Sequence, residues 1–158
     1  MGIIISSFPG CGKEYLTNTH GSKAKILIAR TLMGEEEEQN YDHYFYVLVD
    51  KMMNVVNDYD IIFIPVAEEL LNIMDERKID YDLFYPSKDR RKEFLENMVR
   101  KRAPRDKIMV LDREFDKIVD RLDGIESENC YKHKLENAGQ FIGNQPIIMS
   151  YIDSLKND

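Results

Sequence analysis

An apolar run, Ile3-Ile4-Ile5-Ser6, gives way at once to Ser7-Phe8-Pro9-Gly10-Cys11-Gly12-Lys13-Glu14, and that order constrains the fold more than any other part of the chain. The run is short, β-branched and ended by Pro-Gly, which predicts a buried strand. The glycines permit a tight turn, and a helical pattern begins after it. Strand, glycine turn and helix in succession is the setting in which backbone N–H groups converge on phosphate oxygens, with the helix dipole behind them. Lys13 then stands where an ammonium reaches the terminal phosphates. Against the pattern G-x-x-x-x-G-K-[ST], Ser7 replaces the first glycine and Glu14 replaces the hydroxyl residue that ligates Mg²⁺. A carboxylate is also a hard oxygen ligand, so Glu14 is the candidate metal ligand, with a longer arm and a full negative charge. The candidate phosphate-binding residues are therefore Ser7, Pro9, Gly10, Cys11, Gly12, Lys13, Glu14 and Tyr15. The competing reading is a structural turn that uses its glycines for conformation alone. Cys11 carries two readings of its own: a thiol whose pKa a helix N-terminus lowers, or a small filler.

Downstream, strand patterns alternate with helical ones. Lys25-Ile26-Leu27-Ile28-Ala29 predicts a second strand, and a long helix is expected over 35–57, with Tyr41, Phe45, Leu48, Val49, Met52, Val55 and Val56 on one face. Asp60-Ile61-Ile62-Phe63-Ile64-Pro65 predicts a central strand, apolar throughout its middle. A helix over 66–77 follows, then a strand at Tyr81-Asp82-Leu83-Phe84-Tyr85-Pro86, with Ser87 as N-cap of the next helix. Residues 109–122 predict another helix with Gly124 at its C-cap, 130–135 a last strand, and 145–155 a terminal helix. Repeated β-α-β units imply one α/β domain over residues 1–158: about five parallel strands with helices on both faces, a three-layer sandwich of the P-loop NTPase-like kind. Ile4, Ile62, Ile64, Leu83 and Phe84 are expected in its core.

Charge is unevenly placed. The chain carries a net charge of −7, yet between Lys88 and Lys107 nine basic residues stand against four acids. One positive segment on an acidic protein suits a small polyanion such as a nucleotide, not a long nucleic acid. The bland alternative is a solvated helix face. No apolar run is long enough to cross a bilayer, and the N-terminus lacks the pattern of a secretory signal. Two cysteines make neither a disulfide framework nor a metal set, so a cytoplasmic location is expected. His20, His43 and His133 lack ligand spacing, and the four acids at 35–38 suit a solvated helix start.

The residues from Ile3 to Leu16, the run Tyr59-Asp60-Ile61-Ile62-Phe63-Ile64, the block from Ile79 to Pro86, Lys92-Glu93-Phe94-Leu95-Glu96 and the helix at 112–122 together resemble small phage-encoded P-loop proteins of the nucleotide or adenylate kinase-like kind. The resemblance implies a nucleoside monophosphate kinase fold, with ATP and Mg²⁺ on the glycine loop and a second nucleotide near the helices after strands two and three. It implies an arginine-bearing lid over both, here a short basic segment at about 88–107 in which Arg100, Arg102 and Arg105 match only loosely. An acidic residue after the loop lysine also occurs in phage deoxynucleoside monophosphate kinases and in phosphomevalonate kinases, which makes Glu14 a tolerated variant. A phage relative would work in the host cytoplasm.

The chain departs from that family at the acceptor side. Ala29-Arg30-Thr31-Leu32-Met33-Gly34 replaces an Asp-Ser-rich segment, and Pro65-Val66-Ala67 replaces Ser and His after the central strand. Asp60 lies at the far end of that strand from the loop, leaving Glu68 or Glu69 to substitute as a metal ligand. Two functions follow. One is phosphoryl transfer from ATP to a nucleoside monophosphate or similar small acceptor, with Lys13, Arg100, Arg102 and Arg105 catalytic and Arg30 or Arg77 on the acceptor phosphate. The other is a non-catalytic protein on the same fold, a phage-encoded interaction or counter-defence factor with a protein partner.

Overall fold

The structure, a computed structural model, describes residues 2–21, 23–34 and 43–155. Five strands, β1 (Ile3–Ser7), β2 (Ile26–Ile28), β3 (Ile61–Pro65), β4 (Tyr81–Pro86) and β5 (Cys130–Leu135), form one all-parallel sheet in the order β2-β3-β1-β4-β5. The described helices are α1 (Lys13–His20), α2 (Tyr44–Val55), α3 (Glu68–Glu76), α4 (Arg91–Arg100), α5 (Arg105–Asp123) and α6 (Pro146–Leu155). In β3, Ile61, Ile62, Phe63 and Ile64 are all buried, the mark of a strand covered on both faces. Its register with β1 sets Ile4 beside Ile62 and Ser6 beside Ile64. Right-handed crossovers then decide the layers. The connection from β1 to β2 runs one way along the sheet and puts α1 on one face. Those from β2 to β3, β3 to β4 and β4 to β5 run the other way, so α2 to α5 share the opposite face. There α2 packs on α3, and α4 on α5. The chain end returns to the first face, where a 3-10 turn, Ile142–Asn144, packs against both α1 and α6. The Tyr151 hydroxyl of α6 donates to the Asp60 carbonyl at 2.9 Å. This is the expected α/β sandwich, and Ile4, Ile62, Ile64, Leu83 and Phe84 are all in its core.

The differences lie at element ends. Helix α5 begins at Arg105, a turn earlier than expected, because its buried stripe of Leu111, Phe115, Val119 and Leu122 starts late and the polar first turn carries no apolar period. Gly124 follows α5 with φ −82°, a right-handed conformation open to any residue, so no left-handed cap forms there. Ser87 precedes a 3-10 turn, Lys88–Arg90, and its hydroxyl donates to the Asp89 carboxylate rather than capping α4. In α2, Leu48, Val49 and Met52 are buried as expected. The expected start of that helix, the four acids at 35–38 and Tyr41 lie outside the described residues. Among the described residues no helix is long and apolar enough to cross a membrane.

Candidate phosphate-binding site

Between β1 and α1 the chain turns over residues 8–12, with Gly10 at φ 87° and Gly12 at φ 90°, ψ 26°. Four hydrogen bonds hold this turn from behind. The Phe8 N–H donates to the Phe84 carbonyl (3.0 Å), the Cys11 N–H to Phe8 (3.1 Å), the Ile142 N–H to Cys11 (2.9 Å), and the Asn97 side-chain amide to Gly10 (2.8 Å). The N–H groups of Gly12, Lys13 and Glu14 have no acceptor among the described residues. Left-handed glycines with unpaired N–H groups at a helix start are the geometry of an anion-binding concavity.

The glycines are sterically required as well. A Cβ on Gly10 would stand 3.0 Å from the Phe94 carbonyl oxygen, and one on Gly12 would stand 3.2 Å from Phe141 Cβ. Gly12→Ala is expected to cost about 1–2 kcal/mol, the usual penalty of a left-handed alanine. Urea unfolding would measure this, and an unchanged midpoint would show that the turn relaxes freely. Cys11 is the small filler, not the reactive thiol: it is 1% exposed, its S–H donates to the Phe84 carbonyl at 3.4 Å, and burial pushes its pKa far up. Of the two readings of Cys11 the filler is the one the burial supports, because desolvation raises the thiol pKa.

The turn opens into a cavity of about 600 Å³ over the C-terminal ends of β1 and β3. Ser7, Pro9, Gly10, Cys11, Lys13 and Glu14 line it, whereas Gly12 sits behind against Phe141. Tyr15 is not among the lining residues; it is 61% exposed and its ring lies over Gly143. Five cations line the cavity: Lys13, Arg30 after β2, Lys101 and Arg102 after α4, and Lys107 in α5. Among the described residues the one carboxylate there is Glu14, whose Oε1 lies 3.6 Å from Lys101 Nζ. Lys13, Arg30, Arg102 and Lys107 have no acidic partner among the described residues. The cost of this crowding shows at Lys13. Burial first, then the like charges of Lys101, Arg30 and Lys107, hold its ammonium below the usual lysine pKa, opposed by Glu14.

The other expected arginines lie elsewhere. Arg100 faces a shallow depression between α4 and α5 with Lys88, Arg91 and Asp112, and Arg105 lines neither space. Arg77 pairs with Asp50 at 2.5 Å and is not part of the cavity wall, so of the two acceptor candidates only Arg30 faces the loop. Lys101 and Lys107 belong to the site although the sequence gave no reason to separate them from their basic neighbours. Nor does the basic segment form a detached cover. Within it Lys88 pairs with Asp120, Arg91 with Asp112, and Arg90 is buried.

The donor set does not suit Mg²⁺. That ion takes one or two carboxylates besides phosphate oxygens and water, and here the single carboxylate is engaged by Lys101. The loop-side end of β3 presents Phe63, Ile64, Pro65 and Val66. Asp60, at the other end, accepts the Lys25 N–H at 2.7 Å. Glu68 lines a separate cavity beyond Val66 and Ile118, and Glu69 lines neither. Among the described residues no three His, Cys, Asp or Glu side chains gather as a metal site. No protein-family model matches the sequence, and no curated protein is significantly similar to it.

Proposed function

We propose that this protein binds the triphosphate of ATP on its glycine loop and transfers the terminal phosphoryl group to a small phosphate-bearing acceptor such as a nucleoside monophosphate. One observation carries the reading: a glycine loop with unpaired N–H groups at a helix start and five cationic side chains line one cavity at the C-terminal ends of parallel strands. Phosphoryl transfer asks a protein mainly for positioning and charge neutralisation. Lys13 neutralises the transferred group, Arg102 approaches from the α4–α5 connection, and Arg30 holds the acceptor phosphate. An acceptor oxygen bonds to the terminal phosphorus while its bond to the bridging oxygen breaks, releasing ADP. A phosphate acceptor is already largely ionised at neutral pH, so no general base is needed.

The test is calorimetric titration with ATP, followed by an assay for phosphoryl transfer over a panel of nucleoside monophosphates. Saturable binding with ADP formed only when an acceptor is present is the expected result. No heat and no saturation at millimolar ATP would remove the proposal. A second reading, nucleotide binding without transfer, is favoured by the apolar end of β3, which supplies no polar contact for an acceptor. ATP binding with no ADP formed over the whole panel would decide for it.

A further inference from the structure

We infer that the site takes the nucleoside triphosphate without a divalent cation, its phosphate charge being neutralised by the ring of Lys13, Arg30, Lys101, Arg102 and Lys107. This inference rests on the nucleotide reading above and specifies the ionic form of its ligand. Five cations against one carboxylate leave four positive charges around the cavity. Among the described residues Lys101 is the one of the five that forms an ion pair, and Lys13, Arg30, Arg102 and Lys107 form none. A metal-free triphosphate carries about four negative charges and matches it, since each phosphate is ionised at neutral pH. Bound Mg²⁺ cancels about two of them, so the complex neutralises the cation ring only in part.

Glu14 fits this account as a brace for the ring. Its carboxylate meets Lys101 and so ties the end of α4 to the start of α1 on either side of the cavity. Its position, on the first turn of α1 and 49% exposed, sets a negative charge beside the phosphate seat. For a metal-free polyanion that charge is unfavourable, and Lys101 and Lys13 offset it in part. Removing it while keeping the side chain's shape therefore improves the seat for the bare triphosphate.

The experiment compares ATP affinity of the whole chain in excess EDTA and in excess Mg²⁺ at one fixed ionic strength, by calorimetry. The expected result is tighter binding in EDTA, by about three- to tenfold, with the advantage shrinking as salt is raised. Glu14→Gln should tighten EDTA binding by a similar factor, and Lys107→Gln should weaken it. Equal or tighter binding of wild type in Mg²⁺ would overturn the inference, as would weaker EDTA binding by Glu14→Gln with its fold intact by circular dichroism. Those outcomes leave ATP binding itself in place. Absence of ATP binding in both conditions would instead remove the nucleotide reading on which this one stands.

Discussion

Replacing Arg90 with methionine should destabilise the protein by about 3–5 kcal/mol, enough to consume much of a small domain's stability. The side chain is 3% exposed, and its guanidinium carbon lies 4.9 Å from the centroid of Phe94 and 5.1 Å from that of Phe141, two rings stacked on each other with centroids 5.6 Å apart. One terminal nitrogen donates to the carbonyls of Gln140 (2.6 Å) and Leu135 (3.3 Å), and Nε donates to Glu93 (3.1 Å). The other terminal nitrogen lies 2.7 Å from Glu93 Oε1 but out of line for a hydrogen bond, so that contact is electrostatic. Methionine keeps apolar contact with the rings but leaves the Gln140 and Leu135 carbonyls without the guanidinium donor, and Glu93 with only the Gly139 N–H among the described residues. The damage should reach the phosphate loop. Gln140 and Phe141 precede Ile142, whose N–H holds the Cys11 carbonyl, and Phe141 backs Gly12. Urea unfolding and ATP titration of Arg90→Met should therefore change together. A loss below about 1 kcal/mol would mean that ring stacking, which methionine partly reproduces, carries the site.

The same cluster predicts an acid limb. Arg90 first, and the Gly139 N–H after burial is set against it, hold the Glu93 carboxyl below its usual pKa. A depressed carboxylate contributes stability that is present above its unfolded value of 4.5 and is lost as pH falls through the folded value. Wild type should lose stability on acidification below that point more steeply than Glu93→Gln.

What the sequence made legible follows from how local each signal is. Strand β3 could be read because a β-branched run buried on both faces needs no partner to announce it. The glycine turn between β1 and α1 could be read because two left-handed positions demand glycine where the chain shows it. Arg90 could not. It sits in a row of basic residues that reads as solvated, and its burial depends on Phe141 and on the carbonyls of Leu135 and Gln140, far along the chain. The cavity's cations were hidden for a related reason. Helix α4 ends at Arg100, and the turn after it, with Arg102 at φ 57°, decides which basic side chains swing toward the loop. Composition counts that segment's charge but cannot aim it. The His133–Asp82 pair, 2.7 Å apart with the imidazole stacked on Phe84, exists only because β4 and β5 are neighbours in register.

Lys13→Met separates binding from folding most cleanly. The ammonium forms no ion pair among the described residues, and burial first, with the neighbouring cations, holds its pKa below the usual 10.5 against the opposing charge of Glu14. A lysine whose folded pKa is lowered costs the folded state while both states are protonated, and that cost is relieved as pH rises from the folded value toward the unfolded one. Methionine, of similar length and without charge, should therefore leave stability unchanged or raised at neutral pH, with the difference closing toward pH 10.5. Nucleotide binding should move the opposite way. Losing a charge-assisted contact to phosphate costs about 1.5–3 kcal/mol, a ten- to hundredfold weaker affinity. Parallel calorimetry and thermal unfolding of wild type and Lys13→Met test both halves. An affinity loss accompanied by a lower melting temperature would make Lys13 a structural residue. Unchanged affinity for ATP would show that the glycine loop is not where the phosphates sit, however well its N–H groups are presented.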